Sequence, residues 1–561
     1  MLIYKGFTLQ RSYLSDSRYT GAVSGIITMD YLVADKKKSE FGAGVDFVAA
    51  HAYGNWAVND KINVQFSLRK SITEFMDTPT YEVYKNRMIQ GTDLDANAQM
   101  NFKFLDASLG LSMELTDRDQ LDFYGILFEN DLDYQNNTDQ LITSNIKQNH
   151  YATGYNYVKE ISDDLILEHT SYFTSYELNS ILENNSANSS LSQRNRVRDF
   201  GTSLKARLKI NEQLNFTSGL ETSQVSVFDN EVVIQPDLSN KRISATTNHE
   251  FFLQSQYSNR LKTLDVSTGM RWSYLPFYHQ LLWEPRLNVS YQLSKNHQLI
   301  TNIQQTNQNI FQIIDEPADF QGLEKRRWRL SDNDTNPIIQ AQQASLAFQR
   351  NESGLLIGIE GYYKKITNTL SGSQTFSGVF RDRNAVGETT SLGIEFVVNK
   401  KFRNWSTWLS YHFNDSHSRF QEVNNNTSFP NSFNIQHYMN LSAVYTYEDW
   451  EFAAGLNYHN GVRYTPVSDL NQSVNTNEQI EYQSTNSATL PYYFRTDVSI
   501  HRNFSFDNNS KLLLTASLLN LFNRTNVNNT FYQAGENRQI EAVVQESLGT
   551  VFNMSARIIF K

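Results

Sequence analysis

Cysteine is absent from all 561 residues. That excludes a disulfide framework and a thiolate metal site, and it fits a chain that crosses an oxidising periplasm before folding. Proline is scarce, at 9. No apolar run approaches the ~20 residues a membrane helix needs. Met1-Leu2-Ile3-Tyr4 leads at once into polar sequence, without the charged and apolar regions of a secretory signal. An exported protein needs that signal, so the natural N-terminus is expected upstream of Met1. Positive charge is also short: the formal net charge is -10, which disfavours a nucleic-acid partner. Nucleophile elbows, phosphate loops and zinc-protease motifs are missing. The expectation is a protein that is not an enzyme, with no catalytic residues, no cofactor and no metal.

What is present is aromatic and polar. Phe and Tyr number 35 and 30, and aromatics make up 13% of the chain. Mean hydropathy is -0.51. A soluble protein of this length would hold about three or four domains. A membrane barrel gives an equally polar average in one domain, because only every second residue of each strand faces lipid.

Alternation with period two runs through the sequence. Phe494, Val498 and Ile500 share one face, opposite Arg495, Asp497, Ser499 and His501. Phe452, Ala454, Leu456 and Tyr458 oppose Glu451, Gly455, Asn457 and His459. At the C-terminus Met554, Ala556, Ile558 and Phe560 alternate with Asn553, Ser555 and Arg557. These are strands with one apolar and one wet side. Phe413, Tyr458, Phe494 and Phe560 lie near strand ends, where aromatic girdles anchor a barrel at the lipid–water boundary.

The interruptions alternate between short and long. Short ones are turn-formers such as Asn59-Asp60, Ser162-Asp163-Asp164, Glu448-Asp449 and Asp507-Asn508-Asn509. Long ones lie around 72–96, 179–193, 226–248, 311–336, 365–386, 414–434, 462–490 and 524–544. Tight turns at one end and long loops at the other describe an outer-membrane barrel. Walking back from Phe560 gives about 19 segments down to Asn97. Segments 61–71, 41–52 and 25–34 bring the total to about 22, the size class of plugged transporters. Gly25 to Val33 is alternatively the last strand of a plug. Residues 1–24 read as a packed tail entering the barrel, and 25–561 as the barrel. The fold class is all-β: a large transmembrane antiparallel β-barrel.

Several stretches resemble the TonB-dependent outer-membrane receptors, particularly those of Bacteroidota-type bacteria. Residues 17–28 (SRYTGAVSGIIT) resemble the end of that family's plug. Residues 328–332 with Asn336-Pro337, then 340–348, resemble its mid-barrel passage from loop to strand, and 384–395 resemble the later strand. Residues 461–466, 490–497 and 519–524 follow in the family's order, with Asn460 and Arg463 departing from its pattern. The chain ends Ile559-Phe560-Lys561, where the family ends on an aromatic.

The resemblance implies a receptor/transporter barrel in the cell outer membrane. It implies TonB-coupled uptake of a scarce solute: siderophore, vitamin, glycan or peptide. The alternative is a passive channel or adhesion barrel without a plug. Implied partners are TonB, acting through a plug and TonB box outside this sequence, the barrel-assembly machinery, outer-membrane lipid and lipopolysaccharide, and an unknown small solute. One dense basic cluster, 324–329, supplies the ligand candidates Arg326, Arg327, Trp328 and Arg329. The Arg forks suit an anion and Trp328 offers a stacking surface. Lipopolysaccharide contact, or pairing with Asp332 and Asp334, explains the same cluster without a ligand. His412, His417 and the Arg495–Asp497–His501 face read as ordinary wall and loop residues.

Overall fold

In a computed structural model of the chain, residues 4–11, 17, 19–31, 38–89, 99–136, 142–184, 188–234, 237–314, 326–332, 335–374, 385–470, 480–506, 510–534 and 538–560 are described. Their strands form a closed antiparallel barrel of 22 strands. The C-terminal strand Val551–Phe560 closes the ring against Glu40–Asp46, with Phe560 opposite Phe41. No described helix is long and apolar enough to cross a membrane.

Side-chain parity sets the two surfaces. In Ser189–Lys209, Phe200 and Leu204 are half exposed on the outside, while Gln193, Asn195 and Ser203 are buried facing the lumen. In Ile62–Ser71, Phe66 and Leu68 face out, and Asn63 and Gln65 face in. In Gln280–Ser294, Leu281 and Trp283 face out, and Glu284 and Arg286 face in. An apolar side chain facing acyl tails needs no partner, whereas each inward polar group can find one across the strand pair. Among the described residues, small apolar clusters form where loops fold back on the wall, as with Leu275, Tyr278 and Ile338.

The strand count agrees with the sequence reading, but two pieces of it differ. Gly25–Tyr31 is not a barrel strand; it pairs with Tyr4–Arg11 in a separate two-stranded sheet. Segment 41–52 is two strands, Glu40–Asp46 and Ala49–Asn59. The cause is Asp46, whose Oδ1 accepts from the N–H groups of Val48 (2.8 Å) and Ala49 (3.0 Å) and so reverses the chain in two residues.

The long-loop end also departs from expectation. The stretches 179–193 and 226–248 are mostly strand. Leu165–Asn184 runs into Ser189–Lys209, and Leu214–Ile234 into Leu238–Ser258, with three or fewer residues at each tip outside the described ones. These strands of 20 or 21 residues are about twice the ~10 needed to span. Asn- and Ser-rich sequence does not stop a strand once its neighbour supplies the ladder. Loop 72–96 contains a helix, Pro79–Ile89. Thr78 caps it, with Oγ1 accepting from the Tyr81 N–H at 3.2 Å, and Pro79 holds the first helical position. The turn at Asp507-Asn508-Asn509, and Lys561, lie outside the described residues.

Leu204 lies between Leu208 and Phe200, at mid-height in the outward apolar set, and Ser203 faces Glu221 across the inner wall. Leu204→Arg is expected to cost about 2–4 kcal/mol in refolding into lipid vesicles, and Ser203→Arg less than about 1 kcal/mol. Equal costs at the two sites would contradict this assignment of faces.

Candidate functional site

Charge is concentrated on the inner wall of four adjacent strands: Leu214–Ile234, Leu238–Ser258, Leu264–Leu275 and Gln280–Ser294. Arg271 is fully buried and pairs with Glu250 and, at 2.8 Å, with Glu221. The register sets Glu284 directly opposite Arg271. Glu284 is itself buried and holds Arg286 at 2.6 Å. Ionised groups at this depth persist only when paired and hydrogen-bonded, and each here has both.

The same side chains grip the N-terminal segment. The Ser17 N–H donates to Gln254 Oε1 (2.9 Å), and Arg271 Nη1 donates to the Ser17 carbonyl (3.1 Å). Arg286 Nη2 donates to the Tyr19 carbonyl (2.5 Å). Thr20 Oγ1 donates to Glu284 Oε1 (3.0 Å), and the Val23 N–H to Gln308 Oε1 (3.2 Å). Four of these five bonds read main-chain atoms, so this strap is held by its backbone. Gly269 makes room for it: a Cβ there would collide with Ser17 Oγ.

Glu284 has a further task. The ladder between Gln280–Ser294 and His297–Gln308 ends at Arg286 opposite Gln304. Above that point Glu284 Oε1 accepts the Asn307 N–H (2.8 Å), and Gln305 Nε2 donates to the Trp283 carbonyl (3.2 Å). Side chains thus take over pairing that the two backbones no longer make with each other.

A hairpin, Ile310–Ile314 with Arg326–Leu330, folds from the next long loop onto this wall. Leu330 packs with Val225 and Val227, and Trp328 joins that cluster. Asn195 clasps the Trp328 main chain, accepting its N–H at 3.0 Å and donating to its carbonyl at 3.4 Å. Arg327 is 4% exposed and reaches Asp229 at 3.1 Å and Glu231 at 3.5 Å. Arg329 Nη1 lies 2.7 Å from Asp229, off the line of a hydrogen bond. Burial alone would raise the Asp229 carboxyl; Arg329 and Arg327 outweigh it and hold it below its ordinary value of 3.8. Hairpin and strap also meet: Val23 packs against the cluster of Phe311, Ile339 and Leu370. Beside the hairpin base lies a cavity of about 300 Å³ lined by Tyr278, Gln280, Asp332, Ile338, Gln340 and Asn368 among others.

Of the four candidates in the sequence, then, Arg327 and Arg329 converge on Asp229, Trp328 is half-buried against aliphatics, and Arg326 is exposed. The partners are Asp229 and Glu231 on the wall. Asp332 instead accepts from Thr335 and Asn336, and Asp334 lies outside the described residues, as do Glu324 and Lys325. His412 bonds Tyr362 OH at 2.8 Å, and His417 lies 3.4 Å from Asp415. Arg495 pairs with Asp497 at 2.7 Å, whereas His501 bonds Thr515 and Asn503. Among the described residues no three His, Asp or Glu side chains converge as metal ligands.

Sequence reasoning passed over Glu250, Arg271, Glu284 and Arg286. The available signal was parity: each shares the inner face of a strand whose other face carries Phe251, Trp272 or Trp283. Ionisable residues inside a membrane span are functional candidates by default.

A protein-family model described as "TonB dependent receptor-like, beta-barrel" matches residues 89–521. No curated protein matches. Among solved structures, the ferric yersiniabactin uptake receptor FyuA from Yersinia pestis is similar at 12% identity and a TM-score of 0.74, over 100% of this chain and 86% of that one. The FrpB iron transporter from Neisseria meningitidis gives 10% identity and 0.68, over 100% and 87%. The siderophore receptor PiuA from Acinetobacter baumannii gives 11% and 0.67, over 100% and 87%. At these identities the likeness is one of fold.

Asp229→Asn leaves two guanidinium groups against a neutral amide, and is expected to weaken hairpin docking by about 3 kcal/mol. Amide hydrogen exchange across 326–330 should quicken by about a hundredfold, and unchanged exchange would refute the latch. Because the folded Asp229 carboxyl titrates below its unfolded value, its contribution is complete at neutral pH and is lost as pH falls through the folded value. Protease sensitivity of the hairpin should therefore rise only in acid, below the ordinary carboxylate range, and in Asp229→Asn it should be high at neutral pH too.

Proposed function

The chain belongs to the TonB-dependent receptor family, whose barrels lie in the outer membrane and work with TonB, and from that premise we propose that it carries a scarce solute inward by TonB-coupled gating. In this reading residues 1–31 are the end of the plug, and the hairpin of Ile310–Ile314 with Arg326–Leu330 is the outer face of the solute site. Arg326 and Trp328 are its ligand-side candidates, while Arg327 and Arg329 are the latch. Binding would be non-covalent, and passage would follow a pull on the plug. A ferric siderophore is the first solute to test, because FyuA and PiuA carry such names.

One observation carries the reading: Val23 of the strap packs against the buried cluster that Phe311 of the hairpin forms with Ile339 and Leu370. A segment that slides along the lumen wall removes part of the hairpin's support, so a force applied on the far side of the membrane reaches the solute-facing surface. The hydrogen bonds that fix the strap include the five above, each individually worth about 0.5–1.5 kcal/mol, or more at the charged groups. Such a set is strong enough to hold at rest and weak enough to be drawn off in sequence.

Gly269→Leu is expected to push Ser17 off the wall and loosen the hairpin as well as the strap, with exchange quickening at 19–23 and 310–314 together. Loosening of the strap with an undisturbed hairpin would break the proposed coupling. In cells, deletion of the gene should abolish uptake of the cognate ferric siderophore, and a TonB-deficient strain or a proton uncoupler should abolish it equally. Uptake that ignores both, with steady conductance of the purified protein in planar bilayers, would make it a passive channel.

A further inference from the structure

Basic side chains crowd one sector of the outer wall, on the side away from the lumen. In Ser189–Lys209 the outward set Leu208, Leu204 and Phe200 continues at the same parity into Arg198, Arg196 and Arg194. On the next strand Leu220 is followed on that face by Phe228, and on the third Leu253 and Phe251 are followed by Lys241. The register places Arg196 directly opposite Phe228. Arg194, Arg196 and Lys241 stand 5.8, 5.2 and 5.8 Å from the centre of that ring.

The height of the patch matters. From Leu208 to Phe200 the wall rises roughly 20 Å, at ~3.3 Å per residue and a tilt of ~40°. That is most of the ~25 Å apolar band of such barrels. Arg198 is the next outward residue, so the cations begin where lipid headgroups begin.

Carboxylates do not neutralise the patch. Glu177 takes Arg194 at 2.8 Å and Arg196 at 3.8 Å. Among the described residues Arg198 and Lys241 pair with no carboxylate, and Arg194 Nε, though buried, donates to nothing. Asp131 and Asp133, three strands away, are engaged by Asn145 and Lys103. Burial first, then the charges of Arg198 and Arg194, depress the Arg196 guanidinium. In a chain of net charge -10, mutual repulsion held at one height on one sector calls for an anion from outside.

We propose that Arg194, Arg196, Arg198 and Lys241, gathered around Phe228, form a headgroup site for a phosphorylated, acylated lipid of the outer leaflet, whose chains lie along Phe200, Leu204 and Leu220. Guanidinium forks match phosphate oxygens in pairs. The aliphatic stems of these side chains cover the rim of the apolar band while their charged ends reach the headgroup plane. Parity separates this site from Asn195 and Asp229, which face the lumen from the same strands, so it stands or falls apart from the uptake reading.

The folded protein in dodecyl maltoside micelles is titrated with bisphosphorylated lipid A, with the same lipid freed of its phosphates, and with inorganic phosphate, bound lipid being read by native mass spectrometry. Lipid A should bind, the dephosphorylated lipid about tenfold or more weaker, and inorganic phosphate should not compete. R194A/R196A/R198A should lower lipid A affinity by about tenfold or more, and R194K/R196K/R198K, which keeps the charge and loses the fork, should bind between wild type and the alanine variant. K365A/R419A, on the distant strands Leu355–Leu370 and Trp405–Phe420 where both side chains pair with Glu388 (2.8 and 3.0 Å), should leave it unchanged. Arg198→Gln and Lys241→Ala alone should each weaken binding by about threefold, which keeps the test open if the triple variant does not fold. Unchanged binding by the alanine variants, indifference to the lipid phosphates, or equal competition by inorganic phosphate would each overturn the proposal.

Discussion

Within the hydrocarbon layer a peptide N–H or C=O has no water to bond, and leaving one bare costs several kcal/mol. The rest of this structure follows from meeting that demand with strands alone. The sheet must close, which it does where Val551–Phe560 meets Glu40–Asp46. Closure gives every strand an inside and an outside, and alternation assigns each residue to one of them. Charge is then admissible only inward or beyond the apolar band. Where the ladder between Gln280–Ser294 and His297–Gln308 stops early, Glu284 and Gln305 supply the missing acceptor and donor.

Function grows out of the inward residues. A wet inner wall can carry Arg271, Arg286, Glu250 and Glu284 because they neutralise one another in register. The same groups have hydrogen-bonding capacity left over, and it is spent on the main chain of the strap. Higher up, Asp229 holds two arginines of the hairpin, and Asn195 holds its backbone. Wall, strap and hairpin therefore form one connected set of contacts, joined where Val23 meets the cluster of Phe311, Ile339 and Leu370.

The architecture was legible because alternation in lipid is strict: Phe452, Ala454, Leu456 and Tyr458 take every second place, opposite Glu451, Gly455, Asn457 and His459. Membership of the family was legible from short motifs in a shared order along the C-terminal third. The strand total agreed through two offsetting differences, since Gly25–Tyr31 left the ring and Asp46 split another segment in two. The lengths of the long-loop strands were not legible. Above the membrane a polar strand and a polar loop have the same composition, and the neighbouring strand decides between them. The inner charges were visible but scattered. Arg271 and Glu284 lie far enough apart in sequence that only the register of the hairpin between them shows that they are partners. Trp328 drew attention as a stacking surface, yet which way a loop folds depends on the wall it lands on.

Because the chain has no cysteine, single cysteines can be placed from 198 to 208 and spin-labelled in lipid vesicles without background. Collisions with oxygen, which concentrates in the bilayer, should peak at every even position: 200, 202, 204, 206 and 208. Collisions with a water-soluble nickel complex should peak at the odd positions 199, 201, 203, 205 and 207, half a period out of phase. Two profiles that rise and fall together, or that repeat every three to four residues, would show that this wall does not divide lipid from a wet interior, and the account of the lumen would fall with it.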